Sequence, residues 1–147
     1  MKAFWIGVAA LGVVALAACK GSDATGPGSA GLGGSWKFQE TLSNSALALT
    51  CADSATVTVT QSGQTFTANY VQVGTCNANG QAVDNSGSGS ISNGRVVGDS
   101  VTFNEDICAY AGTFTGSPAS NMNGTVTCTD TSSGVPVVVA GNWVMSR

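Results

Sequence analysis

A serine or cysteine nucleophile needs a base beside it to become reactive, and this chain of 147 residues contains no histidine. Lysine could substitute, but Lys37 falls on the outward parity of a strand that starts at Trp36. Paired carboxylates hydrolyse glycosides, and Glu105-Asp106 is the only adjacent acidic pair. Neighbours along a strand point to opposite faces, so that pair reads as a solvated turn. A zinc site wants closely spaced Cys or His pairs, whereas Cys51, Cys76, Cys108 and Cys128 lie far apart. No metal, cofactor or catalytic residue is therefore expected, and the chain reads as a non-enzymatic protein. Glu40 stands apart from the other acids. It shares the parity of Trp36 and Phe38 and should face the interior, where an unpaired carboxylate is costly. Its default reading is a place at an open mouth, in water; the functional one is a polar contact for a ligand.

The net charge is −3 and only 9% of residues are charged. Binding nucleic acid takes a cluster of Lys and Arg to displace counterions. Beyond residue 19 there are only Lys20, Lys37, Arg95 and Arg147, so a nucleic-acid partner is not expected. The bulk is Gly, Ser, Thr, Asn, Ala and Val, a composition suited to strands and turns.

Met1-Lys2 gives a positive start, followed by an apolar run and the small residues Ala17-Ala18 before Cys19. That is the plan of a secretory signal. The run falls short of the ~20 residues needed to cross a bilayer, and Gly7 and Gly12 interrupt it. Leu16-Ala17-Ala18-Cys19 resembles the lipobox of bacterial lipoproteins. The resemblance implies cleavage before Cys19 and acyl chains, such as palmitate, on that cysteine, a stable membrane anchor. Lys20 in place of aspartate implies the outer membrane where the organism has two. The stretch from Gly21 to Gly34 is rich in Gly and Ser and reads as a flexible tether. The expected division is a signal peptide over 1–18, a lipidated cysteine and linker over 19–33, and one folded domain over 34–147.

Within that domain apolar residues recur at alternate positions. Ala55, Val57 and Val59 alternate with threonines, and Ser62-Gly63 reads as a two-residue turn. Gln61 opposite Gln64 then sets Val59 against Phe66, Val57 against Ala68 and Ala55 against Tyr70. A second hairpin turns at residues 116–120. Phe114 opposite Met122 puts Gly112 against Gly124, Tyr110 against Val126 and Cys108 against Cys128, with all large side chains on one face. Gly98-Asp99 should join a strand at Arg95–Val97 to one at Val101–Phe103, and Asn93-Gly94 is either a turn or a bulge. Trp36–Thr41 reads as the first strand and Val137–Arg147 as the last.

Eight strands with mostly short turns predict an all-β, antiparallel, up-and-down eight-stranded barrel, which closes its own edges; the alternative is a β-sandwich. The registers also choose among the three pairings open to four cysteines: Cys108–Cys128 are opposed, and Cys51–Cys76 bracket the first hairpin within about two residues of its register. Two local disulfides are expected, as an oxidising compartment permits.

Gly34-Ser35-Trp36 at the first strand, with Arg147 at the end of the last, resembles the calycin pattern of lipocalins and their relatives. The resemblance implies that Arg147 packs over Trp36 and closes one end of the barrel. It also implies a binding role. By parity Phe66, Tyr70, Phe103, Tyr110, Phe114, Met122 and Trp143 would form the interior with Glu40, as ordinary core packing by default or as the lining of a ligand space, and Gly112 facing Gly124 would leave a gap or allow a tight bend. The leading expectation is a membrane-anchored binding domain for a small apolar ligand inside the barrel. The alternative is an envelope-protein-binding module with a filled core, acting through loops at Leu42–Ser54 and Gly74–Gly89. An enclosed apolar cavity of a few hundred Å3 would favour the first, a packed interior the second.

Overall fold

The computed structural model describes residues 31–147; the expected signal peptide, Cys19 and the linker as far as residue 30 lie outside the described residues. The alternating sequence yields nine strands there: β1 (Gly34–Asn44), β2 (Leu49–Ser62), β3 (Thr65–Ala78), β4 (Gln81–Asp84), β5 (Gly87–Val97), β6 (Ser100–Glu105), β7 (Cys108–Gly116), β8 (Ala119–Asp130) and β9 (Val137–Ser146). Every strand except β4 pairs antiparallel with its neighbours in chain order, and β9 returns to pair with β1. The result is a closed, up-and-down, eight-stranded barrel; β4 only prolongs the hairpin at the far end of β3. The sandwich alternative is set aside.

The second hairpin has the register read from its sequence, with Phe114 opposite Met122, Gly112 opposite Gly124 and Cys108 opposite Cys128. The first hairpin is slipped by two residues from the expected pairing. Val59 meets Ala68, Val57 meets Tyr70 and Ala55 meets Gln72. The cause is the turn, which is centred on Gly63-Gln64 rather than Ser62-Gly63. Gly63 takes φ +59°, the left-handed value that primed hairpin turns demand of a first central residue. A slip of two preserves which face each side chain occupies, and it brings Cys51 directly opposite Cys76. Asn93-Gly94 belongs to a bulge in β5: Phe66 pairs with Gly94 but Ala68 with Ile91.

Two segments expected as loops are mostly strand. β1 and β2 run to Asn44 and from Leu49, joined by a single 3-10 turn at Ser45–Leu47, and Gly74–Gly89 is largely the β3–β4 hairpin. The hydroxyl- and amide-rich sequence there lacked an apolar face to betray the strands, because both walls extend past the packed core.

One end of the barrel is sealed. Leu32, expected in the linker, is fully buried; its amide donates to Gln61 Oε1 (2.7 Å) and its carbonyl accepts from Trp36 Nε1 (2.7 Å). The Arg147 guanidinium lies over the Trp36 ring, 4.3 Å from its centroid, and donates to the carbonyls of Gly31 (2.5 Å) and Gly33 (2.9 Å). Residues 31–33 thus pack against the barrel ahead of Gly34, because one leucine in a glycine-rich stretch is enough to plug it.

Above the plug the interior is filled by rings. Phe103 stacks on Tyr110 with centroids 4.4 Å apart, Phe66 and Trp143 meet Phe103 edge-on, and Phe38 stacks on Trp143. The facing glycines 112 and 124 leave no empty space. A Cβ on Gly112 would lie 2.6 Å from the Trp143 ring, so the indole occupies the room that the two missing side chains provide.

Candidate functional site

Among the described residues, the end opposite Leu32 is open. β1, β2 and β3 continue beyond the aromatic core, and apart from Tyr70 their inward residues there are no longer rings. Glu40 and Leu42 come from β1, Cys51 and Asp53 from β2, and Tyr70, Gln72 and Cys76 from β3. β6 and β7 contribute Glu105, Cys108 and Tyr110. These walls surround an open cup of ≈ 390 Å3. Below it, between Phe38, Tyr70, Phe103 and Tyr110, lies a void of only ≈ 30 Å3, about the share of liquid volume held by one water.

The disulfides Cys51–Cys76 and Cys108–Cys128 both join directly opposed residues and both line the cup. They tie the strands together where no aromatic packing holds them.

Glu40 is 7% exposed, which corrects its default placement in open water. β1, β2 and β3 carry the wall on past it, to Asn44, from Leu49 and to Ala78. The Tyr110 hydroxyl hydrogen-bonds to its carboxyl, while Oε2 has no partner. Burial pushes the Glu40 carboxyl up to about 7; the bond from Tyr110 opposes this and the nearby Asp53 and Glu105 charges add to it. Burial likewise raises the Tyr110 phenol far above its usual range, reinforced by the charges of Glu40 and Glu105. The Tyr70 hydroxyl donates to Glu105 Oε1, and its phenol is also raised, chiefly by burial and then by that bond.

Asp53 pairs directly with Glu40 across β1–β2 and is 5% exposed. Its Oδ1 accepts from Asn85 Nδ2 (3.0 Å), and Oδ2 has no partner. The carboxylate spreads over Gly74, where a Cβ would fall 1.6 Å from Oδ1. Neither Asp53 nor Asn85 emerged from the sequence. The signal was present, since the alternation through Ala55, Val57 and Val59 continues back to Asp53 and Cys51 on the same parity.

Of the residues expected to line a ligand space, Glu40, Tyr70 and Tyr110 border the cup. Phe103 borders the small void, whereas Phe66, Met122 and Trp143 are buried in the packed core, with Phe114 half-buried against it. Trp36 and Arg147 stand at the sealed end. Among the described residues no group of three or more His, Cys, Asp or Glu is arranged to hold a metal ion.

No protein-family model and no curated protein matches the chain. Among solved structures, an S-type phycobiliprotein lyase from Guillardia theta is similar, with 11% identity, a TM-score of 0.46, and 80% of this chain and 88% of that chain covered. That neighbour is an enzyme by name, which stands against the expectation, drawn from the missing histidine, that this barrel does no chemistry. The exclusion is withdrawn, and no role of the neighbour's residues is carried over.

Proposed function

We propose that this protein is an exported, lipid-anchored binding protein that holds a small molecule in the cup at its open end. The observation that carries the reading is the contrast between the two spaces. The barrel interior offers ≈ 30 Å3, too little for the apolar ligand expected there. The cup offers ≈ 390 Å3, within the ordinary range of small-molecule sites. Its lining combines convergent polar groups with apolar walls, as such sites require. Export is supported by the two disulfides, which persist in oxidising compartments, and anchoring by the lipobox-like residues before Cys19. Lys20 supports the outer membrane where there are two membranes.

Native mass spectrometry of the full chain, extracted in detergent from its own membrane, tests this. The expected species begins at Cys19, carries acyl chains, lacks four thiol hydrogens and retains a small molecule that is lost on denaturation. A chain that keeps residues 1–18, or carries no lipid, overturns the anchor. An envelope-protein partner is the second reading, favoured by the packed deep interior. It takes over if a protein, and no small molecule, accompanies the chain.

A further inference from the structure

We propose that the cup selects an organic cation: a protonated amine on an apolar or aromatic body, its ammonium seated against Glu40. This rests on the cup being the binding site and names the class of ligand it takes.

The first observation is the unmet hydrogen-bonding capacity of Glu40. Its side chain lines the cup, the residue is 7% exposed, and Oε2 has no partner. A buried carboxyl oxygen left without a donor is costly. An ammonium brings N–H donors and the opposite charge together, and charge-assisted bonds of that kind are about twice as strong as neutral ones.

The second observation is the sign of the walls. Glu40, Glu105 and Asp106 border the cup, and Asp53 stands behind Glu40 on the adjoining strand. None of the three cations among the described residues, Lys37, Arg95 and Arg147, borders it. A cleft lined by one sign of charge with apolar walls concentrates ions of the opposite sign, so a carboxylate or phosphate ligand meets only repulsion. A bare metal ion is a poorer fit, since no three metal-ligating side chains converge among the described residues.

The third observation is the remaining lining. The rings of Tyr70 and Tyr110 reach the cup floor, and Leu42, Leu49, Ile107 and Val139 complete its walls. Aromatic faces attract cations, and the aliphatic wall receives an apolar body. A fully hydrated polyamine would leave that wall unused.

The titratable groups facing Glu40 are Asp53 on β2, Glu105 on β6 and Tyr110 on β7, with Tyr70 contributing from β3 through its contact with Glu105. Two of these are acids, so a bound cation relieves their repulsion and draws the Glu40 proton off.

The test is calorimetric titration of the detergent-solubilised full chain with phenethylamine, phenethyl alcohol and phenylacetate, which share one body and differ in charge. The amine is expected to bind about tenfold more tightly than the alcohol, and phenylacetate not to bind. Glu40→Gln should erase the amine's advantage over the alcohol. Below pH 7, amine binding should release up to one proton in the wild type and none in Glu40→Gln. Equal binding of the alcohol or of phenylacetate overturns the inference and leaves the cup reading standing. Failure of all three to bind at millimolar concentration overturns both.

Discussion

Glu40 and Asp53 face one another across β1 and β2, both on the inner side of the barrel, and each keeps one buried oxygen without a hydrogen-bond partner. Directly opposed like charges destabilise a strand pair, and burial compounds the cost. A barrel selected for stability alone would place apolar residues there. The pair weakens the fold at the point where the cup needs unsatisfied acceptors.

The proton linkage of Glu40 follows from its raised folded value. The ordinary carboxyl of 4.5 becomes about 7 in the folded chain, so the native state holds the proton more tightly than the unfolded chain does. The stability this contributes is fully present below 4.5 and is lost as the pH rises towards about 7. Thermal unfolding between these limits should therefore show the midpoint of the wild type falling by roughly several degrees. Glu40→Gln should remove that part of the fall; an equally steep decline in the variant would reject the linkage.

Arg147 should behave as a latch on the sealed end. Arg147→Ala removes the guanidinium over Trp36 and both bonds to the carbonyls of Gly31 and Gly33, at a cost of about 1–2 kcal/mol in urea unfolding. Amide exchange of Leu32 should accelerate in the same variant. Unchanged protection at Leu32 would mean that Gln61 and Trp36 hold the plug alone.

Gly112→Ala should damage the core out of proportion to one methyl group. The new Cβ would fall 2.3 Å from the carbonyl oxygen of Asn123 and 2.6 Å from the Trp143 ring. Backbone and indole must both shift, for about 1–3 kcal/mol. A red-shifted tryptophan emission together with a lower urea midpoint would report this, and a variant as stable as the wild type would refute it.

The disulfides close loops with sequence separations of 25 and 20, worth about 3 kcal/mol each in the chain-entropy account. Replacing Cys51 and Cys76 together by alanine should lower stability by about 2–4 kcal/mol. Hydrogen exchange should quicken first along Leu49–Asp53 and Gly74–Ala78, above the aromatic core. Uniform loosening of the whole barrel would show that the bridge supports the core instead.

The legibility of this sequence tracked its large side chains. Between Cys108 and Cys128 a phenylalanine, a tyrosine, a methionine and a valine admit a single register, and the pairing could be read residue for residue. Before Gly63 the inward residues of β2 are only Ala55, Val57 and Val59, of similar size, so a two-residue slip against Phe66, Ala68 and Tyr70 left the pattern unchanged and only the turn's backbone demand settled it. Leu32 was hidden because a plug needs one residue and leaves no periodicity. The cup was hidden for a different reason: its walls are small polar residues whose inward parity carries meaning only once the strands are known to continue past the core. The two acids facing one another were half visible. Glu40 followed from the parity of Trp36, whereas Asp53 required extending β2 backwards through Cys51.

The sealed end has a consequence for how the molecule stands. Both Gly31 and Arg147 meet at the Trp36 end, and the cup opens at the other pole, beyond Leu42 and Cys51. Any leash attached ahead of Gly31 therefore pulls on the base of the barrel. On the anchoring proposed above, the lipid at Cys19 would hold the molecule by its plugged foot, leaving the mouth at the opposite pole free for whatever diffuses past.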